Sequence, residues 1–358
     1  TTQGAWWETL AAMDMTLIVT REYEHLVLAL TIHAGEPQIS FMQLPHPSGL
    51  AYDAKRAVLY LAATRNPNQV MAFQPVVDTL PRADMPYDEP LNQRPLVPVQ
   101  TRFYPGSLYI HDLAFIGDRL HANAVGQNAV IAFDTDGTYQ RVWHPRCIEH
   151  EGHPVFEQNH IQLNSIAAGD DLAGSYFSAS LDYLSARRPG HQNFPVDGRG
   201  VIFSGATREV VARGLTRPHS ARFYADTVWV DNSGYGELGY IEDGHFHPVF
   251  KLPGWTRGLA FHESIGFVGT SRVLPRFAQY APGLNVADST CALHAIDMQS
   301  GQVLGSITWP YGNQLFAIEL VPRRWTLGFP FQSHQKRATA RERKLFYTFM
   351  TEDQTHEQ

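Results

Sequence analysis

Short apolar runs separated by Gly-, Asp- or Pro-containing turns recur along the whole chain, and no helical period takes over between them. Six segments share one pattern, a polar or small residue followed by an apolar β-type run. They are Ser48-Gly49-Leu50-Ala51-Tyr52, His111-Asp112-Leu113-Ala114-Phe115, Asn164-Ser165-Ile166-Ala167-Ala168, His219-Ser220-Ala221-Arg222-Phe223, Arg257-Gly258-Leu259-Ala260-Phe261 and Gln314-Leu315-Phe316-Ala317-Ile318. They recur roughly every 40 to 60 residues, near the period of propeller blades carrying some long loops. A second run (Val58-Leu59-Tyr60-Leu61-Ala62, Val228-Trp229-Val230), a third (Val70-Met71-Ala72-Phe73, Val130-Ile131-Ala132-Phe133) and a hairpin such as Asp134-Thr135-Asp136-Gly137 follow. Four short strands per unit make a blade.

The ends of the chain complete the count. Only one strand follows Gln314, and three strand-like runs precede Ser48: Thr16-Leu17-Ile18-Val19, Leu26-Val27-Leu28-Ala29-Leu30 and Ile39-Ser40-Phe41. One plus three makes the missing blade. The sequence therefore predicts an all-β, six-bladed β-propeller over residues 1–333, closed by N- and C-terminal strands sharing one blade, with a charged tail over 334–358. A pair of β-sandwiches would leave the six-fold motif unexplained.

Ile110-His111-Asp112-Leu113-Ala114, Arg217-Pro218-His219-Ser220, the run from Trp229 to Gly239 containing Asn232-Ser233-Gly234-Tyr235-Gly236-Glu237-Leu238-Gly239, and Leu252-Pro253-Gly254-Trp255-Thr256-Arg257-Gly258-Leu259-Ala260-Phe261 form a specific set. With Leu61-Ala62-Ala63-Thr64-Arg65, the chain resembles, from about residue 16 to about 322, a bacterial propeller-type family known only as a domain of unknown function. The resemblance implies the fold and no activity. Where that family carries His-Leu-Asn in the third blade, this chain has Gln162-Leu163-Asn164, with His160 two residues earlier.

In a propeller the innermost strand of each blade begins at the rim of the axial channel. The first motif residues, Ser48, His111, Asn164, His219, Arg257 and Gln314, are all polar and are expected to ring that channel. The ends of the second strands should add Thr20-Arg21, Thr64-Arg65, Asp231-Asn232 and Ser271-Arg272. A wet channel is polar in any case and needs only water. Two imidazoles and several guanidiniums in one funnel ask for more: His exchanges protons near neutral pH, and Arg offers a planar fork to a carboxylate, sulfate or phosphate.

The expectation is thus an enzyme acting on a small anion by lyase-, hydrolase- or isomerase-type acid–base chemistry. His111, His219 and Asn164 would be the catalytic set, with Arg257, Arg65, Ser48, Gln314, Asn232 and Arg272 binding substrate. A sharper version places one divalent metal ion on His111, His160 and His219. The alternative is a binding or scaffolding propeller that recruits a protein through its rim.

Other features narrow the field. The net charge of −7 is spread along the chain with no clustered Lys/Arg face, which argues against nucleic acid. Two cysteines among 358 residues suit a reducing, cytoplasmic setting, and no apolar run is long enough to span a bilayer. No phosphate loop, dinucleotide fingerprint or nucleophile elbow is present, so no organic cofactor is expected. His144, Cys147, His150, His153 and His160 crowd a loop with Pro145, Gly152 and Pro154, read as a lid over the funnel in preference to a separate zinc site.

Overall fold

The computed structural model describes residues 1–65, 67–80, 94–191, 193–333 and 345–351. Six antiparallel sheets stand around one axis. Their inner strands are Pro47–Asp53, Ile110–Ile116, Leu163–Ala167, Pro218–Tyr224 and Trp255–His262 for blades one to five, and Ile318–Pro322 for blade six. In blade six that C-terminal strand pairs with Met15–Arg21, followed outward by Leu26–His33 and Glu36–Gln43. The ring therefore closes as the strand count predicts.

The blades pack through apolar faces between neighbouring sheets. The N-terminal segment adds a seal over the closing seam. Thr2–Gly4 extends the outer edge of blade five, and the helix Trp6–Ala12 sinks Trp6 and Leu10 among Leu17, Leu30, Phe267 and Leu293. Of the tail, residues 334–344 and 352–358 lie outside the described residues; Phe349–Met350 pairs with Asp78–Thr79 beside blade one.

Polar side chains near the axis stitch each blade to the next. Ser48 Oγ donates to the Ile110 carbonyl (2.9 Å), and Asp112 accepts from the Ile166 amide (3.0 Å). Ser165 accepts from the Ala221 amide (2.8 Å), and Ser220 accepts from Gly258 (2.8 Å). Ser271 accepts from the Leu315 amide (2.9 Å), and Thr20 donates to the Ser48 carbonyl (2.7 Å). All six seams are tied in this way. These bonds satisfy backbone groups at strand starts, where the ladder alone leaves them without partners in a dry interior.

One further tie crosses the axis. The fourth motif position is Ala51, Ala114, Ala167, Arg222, Ala260 and Ala317, five methyls and one guanidinium. The small neighbours leave room for Arg222 to reach from blade four to Asp112 of blade two, where it is bound bidentately at 2.8 and 3.0 Å. Burial disfavours the charged arginine, and Asp112 more than offsets this, raising its pKa. Asp112 is Arg222's partner across the axis, so losing either would strand a charge in the interior.

Candidate functional site

At the end of the axis where inner strands begin, a cavity of about 540 Å³ opens. His111, Arg257 and Gln314 line it, as do Arg65, Ser271 and Arg272 from the ends of second strands. Glu157, Gln158 and Asn159 line it too, so the loop expected as a lid does border the funnel.

Ser48, Asn164, His219 and Asn232 do not reach the cavity wall. Ser48 is spent on the blade seam. Asn164 Nδ2 donates to the Pro218 carbonyl (2.9 Å) while its amide also favours the protonated form of His111. Asn232 accepts from the Thr216 amide (2.7 Å) and donates to Glu237 (2.9 Å). His219 Nδ1 lies 2.8 Å from the Arg217 carbonyl and 3.1 Å from Ser233 Oγ, behind the wall and braced against the turn that carries Arg217.

The residues that sequence reasoning passed over stand two places before each motif. Tyr109, Gln162 and Arg217 hold the left-handed conformation, with φ of 51°, 50° and 55°, and so do His46 (41°) and Gly312 (82°). Blade five carries Trp255 there instead. That turn tips the side chain off the strand, and Tyr109, Gln162, Arg217 and Trp255 all line the cavity. A non-glycine residue pays roughly 1 kcal/mol or more for this conformation, and such strain concentrates at functional sites.

Arg217 is the centre of the arrangement. It is 9% exposed, its Nε and Nη1 have no hydrogen-bond partner among the described residues, and it lies 4.9 Å from the Tyr280 ring. Burial lowers its pKa to about 10, still far above neutrality. Arg257 sits 3.6 Å over the Phe316 ring, which His111 meets edge-on. Arg65 is more committed: Tyr109 Oη accepts from it at 2.8 Å, and Glu22 lies 3.4 Å away. Five arginines (65, 188, 217, 257, 272) and two glutamates (22, 157) line the cavity, so a net +3 is focused inside a chain whose overall charge is −7.

His111 and His219 are held well below the ordinary imidazole pKa, first by burial and then by the charges of Arg257 and Arg217. Both are neutral at pH 7. The metal expectation meets a different geometry: His160 Nδ1 lies 3.0 Å from the Ser185 carbonyl, and no three His, Cys, Asp or Glu side chains are gathered to hold an ion among the described residues. In the histidine-rich loop, His144 faces Glu149, and burial pushes the Cys147 thiol up to about 12. No helix among the described residues is long and apolar enough to cross a membrane.

Solved structures share the architecture. A chain of a nidogen/laminin complex is 10% identical at a TM-score of 0.55, covering 86% of this chain and 98% of that one. A protein of unknown function from Bacteroides caccae is 9% identical at 0.53, with the same coverage. A gluconolactonase from Xanthomonas campestris is 17% identical at 0.46, covering 75% of this chain and 77% of its own. No curated protein matches the sequence. The model of one family, the Domain of unknown function (DUF4915), matches residues 4–326, and the chain belongs to that family.

Proposed function

We propose that the funnel is the active site of an enzyme acting on a small organic anion, with His111 as its acid–base group. The observation that carries this reading is Arg217, a buried cation that lines the cavity from a strained turn and has two buried donor nitrogens unmet. A desolvated guanidinium costs stability unless an anion completes it, and a carboxylate, sulfate or phosphate ester fits the fork. Tyr109, Trp255 and Tyr280 give the rest of such a molecule flat apolar walls.

The same arginines give His111 its role. Burial first, and then their charges, keep the imidazole neutral. An anion bound between them offsets the part of the pKa lowering that the arginines cause and leaves the part due to burial, so the His111 pKa rises. With substrate in place the neutral imidazole is a stronger base and its protonated fraction a general acid, suiting hydrolysis, elimination or isomerisation. It follows that anion binding is linked to proton uptake, and affinity increases as pH falls from neutral toward 6. Calorimetric titration of sulfate in two buffers of different ionisation enthalpy should show protons taken up, and His111→Asn should abolish most of that uptake. Uptake that is absent in the wild type, or unchanged in His111→Asn, would remove His111 from this role. A protein that binds the anion without linked uptake would fit the non-catalytic alternative.

A further inference from the structure

At the opposite end of the axis, where inner strands finish, lies a second cavity of about 320 Å³ that all six blades line. Tyr52, Phe115, Phe223 and Phe261 stand around it, each half-buried, and three of the fourth-position alanines, Ala51, Ala114 and Ala260, form part of its wall. Arg222 reaches it from the axial side, and Glu319 faces it from blade six.

The charges here do not balance. Asp112 neutralises Arg222 through two hydrogen bonds. Glu319 forms no ion pair among the described residues; Oε1 accepts from the Leu320 amide at 3.0 Å. We propose that this mouth is a second binding site, independent of the funnel, for a small organic cation with an apolar or aromatic body. Aromatic faces and a surplus carboxylate in a partly dry pocket complement an ammonium group, and a neutral molecule would leave the carboxylate uncompensated. An anion would meet Glu319 directly. Burial pushes the Glu319 carboxyl up to about 7, with Asp112 of blade two adding to the rise. Arg222 of blade four and the Tyr52 backbone of blade one oppose it. A bound cation would hold it ionised.

The test is calorimetric titration of the full chain at pH 8 with 2-phenylethylammonium and with its neutral counterpart, 2-phenylethanol. The ammonium should bind at least tenfold more tightly. Glu319→Gln should erase that preference, while Arg217→Met, in the funnel, should leave it intact. Equal affinity for the two probes, absence of binding, or a preference that survives Glu319→Gln would each overturn the proposal. Should Glu319→Gln fail to melt cooperatively, the wild type at pH 7 gives an independent reading. Binding of 2-phenylethylammonium should release protons there, and binding without release would also overturn it.

Discussion

Replacing Arg217 with Met is expected to weaken binding of sulfate or a small carboxylate by about a hundredfold or more while costing little or no stability. The two effects have one cause. A buried charged group that completes its hydrogen bonds on a ligand contributes on the order of 3 kcal/mol to affinity. Unpaired with an anion, the same group is a desolvation cost, partly offset by the Tyr280 ring. Met fills much of the same volume and carries no charge. Unfolding free energy should therefore stay within about 1 kcal/mol of the wild type or rise above it, the trade between stability and function expected of a binding residue. Thermal melts and calorimetric titration measure both quantities. A loss of several kcal/mol in stability, with binding intact, would make Arg217 a structural residue and empty the funnel of its anchor.

Deleting residues 1–43 should abolish cooperative folding. The deletion removes three of the four strands paired around Ile318–Pro322, the Trp6–Ala12 helix that covers the closing seam, and Thr20, which ties blade six to blade one. It would leave the inner strand of blade six without its ladder and expose the facing sides of blades one and five, the arrangement most open to edge-to-edge association. The expected observation is a broad, non-cooperative melt by circular dichroism together with aggregation. A truncated chain that melts within a few degrees of the full protein would contradict the closure.

Much of this fold was legible because a propeller repeats itself. One motif occurring six times located the inner strands, and counting runs at the two termini found the shared blade without any long-range information. The site was legible only in part. A polar first residue at every motif suggested six groups facing the funnel, yet Ser48 and Asn164 are drawn into blade-to-blade hydrogen bonds, which answer the same demand for polarity. Tyr109, Gln162 and Arg217 were not picked as site residues because nothing in those residue types favours the left-handed backbone they hold. One signal was nonetheless present: Tyr109, Gln162 and Arg217 each stand immediately ahead of an inner strand, at the same rim as the motif's first residue. Arg222, one arginine where the other five motifs carry alanine, was not singled out, because that pattern acquires meaning only when the six strands meet at an axis.

The decisive point is whether an anion sits between Arg217 and Arg257. Selenate, a sulfate analogue with a strong anomalous signal, can be soaked into crystals of the protein and located directly. The expected result is an anomalous peak inside the funnel within hydrogen-bond distance of the Arg217 guanidinium. Selenate found only on exposed surface residues, with ordered water satisfying Arg217, would contradict it.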